Sequence, residues 1–184
     1  MRIVGLSGSL RKGSFNAALL RAAVELAPDG AEVVMGTIRG VPLYDWNVEQ
    51  ADGLPQAVVA LKSAVAEADG LLLVTPEYNN GIPGVFKNAI DWMSRPPADI
   101  AAVFGGRQVG LIGASAGSFG TILSQAAWLP VLRTLGCELY PGKLMVTRAA
   151  QVFEDGRLAS EEARGQLAKY LSGFVAHLRG RSSR

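Results

Sequence analysis

The chain has 184 residues, enough for one domain with a substantial core. Apolar residues make up 49% and charged residues 18%, which excludes a disordered chain, and a formal net charge of +2 is too small to argue for nucleic acid as a partner. The single cysteine, Cys137, excludes an intrachain disulfide and a cysteine-clustered metal site, and it suits a reducing compartment.

Strand and helix patterns alternate along the chain. Ile3, Val4 and Leu6 mark a strand over 2–7, and a helix is expected over 14–27, stopped by Pro28-Asp29-Gly30. A second strand is read over 32–37, followed by a loop through Tyr44 and Trp46. Pro55 opens a helix reaching 68, with Val58, Leu61, Val65 and Ala68 on one face. A third strand covers 70–75, and the next helix runs from 83–84 to 94–95, ended by Pro96-Pro97. A fourth strand covers 108–114, then a helix covers 119–135 with Pro130 inside it and Gly136 as its cap. The fifth strand lies at 138–140 or 144–146, split by Pro141-Gly142. A last helix covers 161–178, with Ala163, Leu167, Tyr170, Leu171, Phe174, Val175 and Leu178 on its apolar face. The unit is read as one domain over 1–178, and 179–184 as a frayed basic tail. No apolar run reaches membrane-spanning length and the N-terminus enters a strand directly, so the expected address is the cytoplasm, away from any membrane.

Five such units fold into a three-layer α/β sandwich around a parallel sheet. Its strand order is either flavodoxin-like, 2-1-3-4-5, or Rossmann, and both place ligands at the carboxyl ends of the strands. Three unusual loops leave strands 1, 3 and 4, and they share one edge only in the flavodoxin-like order.

The first loop is Gly8-Ser9-Leu10-Arg11-Lys12-Gly13-Ser14-Phe15-Asn16. Small hydroxyl residues and glycines between a strand and a helix start bring free N–H groups and a helix dipole to one point, as a phosphate requires. Arg11 and Lys12 add cationic donors, and Ser9, Ser14 and Asn16 add neutral ones. The second loop is Pro76-Glu77-Tyr78-Asn79-Asn80-Gly81, where Asn79-Asn80-Gly81 suits a tight turn with positive φ. The third contains Ser115 and Gly117. Gly5, Gly8 and Gly13 do not have the spacing of a dinucleotide fingerprint, and no Gly-Lys-Ser/Thr occurs. A phosphomonoester is left, and FMN fits, with its flat ring reaching the second and third loops.

Two of these stretches, the first loop and Pro76-Glu77-Tyr78-Asn79 with Ile82-Pro83-Gly84-Val85-Phe86-Lys87-Asn88-Ala89-Ile90-Asp91-Trp92, resemble the NAD(P)H-dependent FMN reductase family, which includes quinone, azo-dye and chromate reductases. The likeness covers about 2–146. It implies a flavodoxin-like fold, non-covalent FMN, NADPH or NADH as donor, a small-molecule electron acceptor, and a homodimer or homotetramer. By position it carries the phosphate role to Ser9, Arg11, Ser14, Phe15 and Asn16. It carries the ring-side role to Pro76, Glu77, Tyr78 and Asn79, and the pyrimidine edge to Ser115 and its glycine-rich neighbours.

The expected activity is transfer of hydride from NAD(P)H through FMN to an acceptor in ping-pong fashion, with no side-chain acid or base. Alternatives are a reductase that releases reduced FMN to a monooxygenase, and a flavodoxin-type electron carrier. Glu77 is expected to have a structural or interfacial side chain, since a carboxylate beside a reduced anionic flavin is unfavourable. His177, the only histidine, is assigned no catalysis. Tyr44 and Trp46 either line the acceptor side or pack. Arg11, Lys12 and Arg107 are cations suited to the extra phosphate of NADPH.

Overall fold

Ile3, Val4 and Leu6 are fully buried in β1 (Arg2–Ser7), the strand around which the sheet is built. The computed structural model describes residues 1–182. After β1 come α1 (Phe15–Glu25), β2 (Glu32–Gly36), α2 (Trp46–Asp52), α3 (Gln56–Ala66), β3 (Gly70–Val74) and α4 (Gly84–Met93). A 3-10 turn (Pro97–Asp99) leads to α5 (Ile100–Phe104), β4 (Gln108–Ala114), α6 (Ile122–Thr134), β5 (Glu138–Leu139) and β6 (Leu144–Val146). The chain closes with α7 (Ala149–Val152), a hairpin of β7 (Phe153–Glu154) and β8 (Arg157–Leu158), and α8 (Glu161–Ser182).

The main sheet is parallel throughout, in the expected order β2-β1-β3-β4-β5. Period-two alternation sends Leu71 and Leu73 of β3 to one face and Leu72 and Val74 to the other. α3, α4 and α6 cover the first face with Leu61, Phe86 and Trp128. α1 and α8 cover the second with Leu19, Leu167 and Phe174.

The fifth strand is split, and both halves pair with β4. Val109 faces Leu139 and Ile112 faces Leu144, so two residues of β4 oppose four of the edge strand. Pro141 has no N–H to donate, and the extra residues bulge around it.

Several short elements carry too little periodicity to be read in advance. The loop expected after β2 contains α2, whose start is capped by Asp45 through Asn47 N at 2.7 Å and whose end meets Gly53 at φ 76°. α5, α7 and the β7–β8 hairpin were also unanticipated. The last helix runs four residues past Leu178, so the tail expected to fray from residue 179 is helical through Ser182, with Arg179 donating to the Asp29 carbonyl at 2.9 Å. Residues 183 and 184 of that tail lie outside the described residues.

Candidate functional site

β1, β3 and β4 end side by side, and the loops leaving them enclose a cleft of about 310 Å³. Ser9, Arg11, Ser14, Phe15 and Asn16 form one side; Pro76, Glu77 and Tyr78 face them; Ala114, Ser115 and Ala116 close the third side. Of the residues expected at the site, Lys12, Gly13, Asn79, Asn80, Gly81 and Gly117 stand outside this lining. Lys12 and Gly13 are exposed on the outer turn of the first loop, and Asn79 and Asn80 form the tip of a hairpin.

The first loop is tied to the sheet at its root, where Gly8 N–H donates to the Val74 carbonyl at 3.0 Å. A Cβ on Gly8 would lie 2.2 Å from Phe86 Cδ1, so only glycine lets the loop sit this low on α4. Ser9 Oγ accepts from Arg11 N at 3.3 Å, and Arg11 Nη2 reaches the Gly13 carbonyl at 3.0 Å. The Arg11 guanidinium lies 5.6 Å from the centre of the Phe15 ring, which packs in turn on Phe153 at 5.3 Å. Ser14 caps α1 by accepting from Ala17 N at 3.2 Å. The N–H groups of Lys12, Gly13, Phe15 and Asn16 have no acceptor among the described residues. Beneath them, the buried Ser7 Oγ at the end of β1 has no hydrogen-bond partner.

Asn16 departs from its expected role. Both ends of its side-chain amide are engaged by Ala114, so only its backbone N–H faces the loop's open side.

In the second loop, Tyr78 and Gly81 exchange N–H···O bonds at 3.1 and 3.0 Å across Asn79 (φ 49°) and Asn80 (φ 63°). Two consecutive left-handed residues make this a type I′ turn, which asparagine tolerates. The Tyr78 N–H is thereby used within the turn, whereas Glu77 N–H has no acceptor among the described residues. Glu77 Oε2 accepts from Leu123 N at 2.8 Å and Ser124 N at 3.0 Å. Thr121, at the N-cap position of α6, makes no side-chain bond there, so a carboxylate from another loop caps that helix and meets its positive end. Behind the cleft, the buried Thr75 hydroxyl joins Ser124 Oγ at 2.8 Å and accepts from Trp128 Nε1 at 3.1 Å. In the third loop, Ser115 Oγ donates to the Gly120 carbonyl at 2.6 Å, and the Gly117 carbonyl accepts from Arg148 N at 2.9 Å.

Other candidates fall elsewhere. His177 Nε2 pairs with Gln108 Oε1 at 2.8 Å, at the amino end of β4 and so at the opposite edge of the sheet. Arg107 is at that edge too; its guanidinium donates to the Ala66, Ala68 and Val103 carbonyls, which removes it as a cation for a nucleotide phosphate. Burial pushes the Cys137 thiol up to about 12, so it is not a nucleophile at neutral pH. Tyr44 packs edge-on against Trp92 at 4.9 Å, while Trp46 is 57% exposed. Tyr44 OH donates to Glu49 Oε2 at 2.9 Å, and Arg95 Nε donates to the same oxygen at 2.8 Å. The bond from Arg95 holds the Glu49 carboxyl below the usual carboxylate range against the opposing effect of burial. This buried cluster had no signal in the sequence beyond Asp45 and Gly53 bracketing a short helix. Among the described residues, no group of three His, Cys, Asp or Glu side chains is placed to hold a metal ion, and no helix is long and apolar enough to cross a membrane.

A parallel sheet in this order, with a loop of unpaired amides at its switch point, defines a flavodoxin-like protein with an anion-binding crossover. The chain belongs to the NADPH-dependent FMN reductase family, whose sequence profile matches residues 1–151. It is 40% identical to an NAD(P)H-dependent FMN reductase of Pseudomonas aeruginosa, covering 98% of both chains. It is 36% identical to a 2-hydroxy-1,4-benzoquinone reductase of a Burkholderia species, again over 98% of each. The solved structure of a flavoenzyme NAD(P)H:(acceptor) oxidoreductase from Paracoccus denitrificans matches with a TM-score of 0.83 at 28% identity, covering 97% of each chain.

Proposed function

We propose that this chain is an FMN-dependent NAD(P)H oxidoreductase that reduces quinones and similar flat, conjugated acceptors, with azo compounds and chromate as further candidates. The observation that carries the reading is the first loop: four unpaired N–H groups, a capped helix start and the orphaned Ser7 hydroxyl converge at the foot of the cleft. These groups fit a phosphate dianion, which would satisfy donors that nothing in the protein satisfies. The family relatives named above support the same cofactor.

Arg11, Ser9 and Ser14 would hold the phosphate with the loop amides. Pro76, the Glu77 N–H, Tyr78, Ser115 and Ala116 would lie along the ring. FMN, when bound, supplies the redox chemistry, taking two electrons from NAD(P)H and giving them to the acceptor. The protein's part is placement. The Glu77 carboxylate is held on the α6 amides, which neutralises part of the negative charge nearest the cleft. Tyr78, 47% exposed, stands at the cleft mouth within 3.4 Å of Ser9 Oγ, and leaves room for donor and acceptor to enter by turns. No ionisable side chain within the cleft is poised to move a proton, so none is assigned a catalytic role. We further propose a cytoplasmic homo-oligomer that retains its FMN.

The test is spectroscopic. Purified protein, supplied with FMN if needed, should keep flavin absorbance through gel filtration, bleach on NADPH under nitrogen, and regain colour on adding benzoquinone. A preparation that stays colourless with FMN supplied overturns the reading. A protein that is yellow but is not bleached by either nicotinamide cofactor favours an electron carrier.

A further inference from the structure

A surface helix normally turns charge toward water. α6 does the reverse. Its exposed positions over the first three turns are Ile122, Leu123, Ala126, Leu129 and Pro130; polar residues take over only at Arg133 and Thr134. Ile122 and Leu123 are each 47% exposed and Leu129 48%, and Phe119 just ahead of the helix is 80% exposed. The other face of α6 packs Trp128 and Leu132 into the core, so the helix is apolar nearly all round. A helix of that kind is a buried helix, and here only one side is covered.

Beside the exposed stripe lies a groove of about 280 Å³ between α6 and the split edge strand, walled by Ala126, Leu129, Leu139, Pro141 and Met145. A single charged residue, Lys143, borders it. Ridge and groove therefore occupy one face of the molecule.

We propose that this face is the docking surface for a second copy of the chain, related by a two-fold axis that crosses α6. The proposal deepens the oligomeric part of the function proposed above. A two-fold axis places each copy's Phe119 and Leu123 against the other copy's groove, so one surface supplies both the projection and its receptor. The near-absence of charge on the face leaves no like-charge pair to oppose such self-contact. Phe119 belongs to the loop that lends Ser115 and Ala116 to the cleft, and Glu77 holds the first turn of α6. The interface thus braces the third side of the cofactor cleft.

The experiment is sedimentation of the FMN-loaded protein at micromolar concentration, comparing wild type with Leu129→Glu and Phe119→Ser. Both side chains are exposed in one copy, so circular dichroism should stay native. The wild type should sediment as a dimer or tetramer. Each variant should lose one two-fold step in mass, with dimer dissociation weakened about tenfold or more by an unpaired carboxylate at the contact. Val59→Glu, at an exposed apolar position on α3, should leave the mass unchanged. A wild type that is yellow and monomeric overturns this inference and leaves the function standing. Native variants that assemble as the wild type does overturn it as well. A colourless but dimeric protein sinks the function and leaves the interface.

Discussion

Asn16 closes its side-chain amide on the backbone of Ala114: Nδ2 donates to the carbonyl at 2.8 Å and Oδ1 accepts from the N–H at 2.9 Å. Two residues 98 positions apart thereby lock the first loop to the third, at the point where the cleft opens. Asn16→Ala leaves a buried donor and a buried acceptor without partners. The expected loss is about 2–4 kcal/mol, a fall in Tm of roughly 5–15 °C. A thermal melt checks it, and an unchanged Tm would show that the clasp contributes nothing.

Arg11 presents its guanidinium at the rim of the phosphate loop, steadied by the Gly13 carbonyl and the Phe15 ring. A charge-assisted hydrogen bond contributes about 1.5–3 kcal/mol, so Arg11→Ala should weaken FMN binding about ten- to a hundredfold. Titration with flavin fluorescence measures this directly. Full affinity in the variant would remove Arg11 from the site.

Glu77 is a helix cap supplied from a distant loop. Removing a capping side chain costs about 0.5–2 kcal/mol, and Glu77→Ala should fall in that range. Glu77→Gln keeps an acceptor oxygen and loses only the charge, so its Tm should lie between those of the wild type and the alanine variant. Equal melting of the two variants would mean that the hydrogen bonds carry no part of the effect.

The sheet was readable because β1, β3 and β4 are near-continuous apolar runs, a pattern that burial on both faces imposes. The loops were readable because glycine, serine and proline at strand ends have a local physical meaning. What local pattern does not encode is the choice of partner. Asn16 looks like a phosphate ligand until Ala114 is brought beside it, and Arg107 looks like a free cation until the Ala66 and Ala68 carbonyls surround it. α2 is seven residues long and has no apolar stripe, so only its capping residues mark it. The split of the fifth strand was visible in Pro141-Gly142, but its two-residue surplus over β4 depends on where the register resumes.

Glu49 gives a pH dependence with a definite sign. Its carboxyl is 7% exposed and bonded by Arg95 and Tyr44, and the Arg95 bond holds its folded pKa below the unfolded value of about 4.3. Folding therefore favours the ionised form. That stabilisation is fully present above the unfolded pKa and disappears as pH falls through the folded one. The Tm gap between wild type and Glu49→Gln should be widest near neutrality and close below about pH 4. Melts across that range check it, and a gap independent of pH would mean that the charge on Glu49 adds no stability.

Ser7 offers a test in which stability and binding move in opposite directions. Its buried hydroxyl has no partner in the FMN-free chain, and an unsatisfied buried polar group is destabilising. Ser7→Ala removes that penalty, so the apoprotein should gain about 1 kcal/mol. The same hydroxyl lies at the foot of the phosphate loop, where the incoming anion is the group that can satisfy it. Losing one hydrogen bond should weaken FMN about five- to tenfold. Apoprotein melts and a flavin titration on the same two samples give both readings. A variant that is less stable without FMN would show that Ser7 Oγ has a partner within the protein, and one with unchanged affinity would place the phosphate out of its reach.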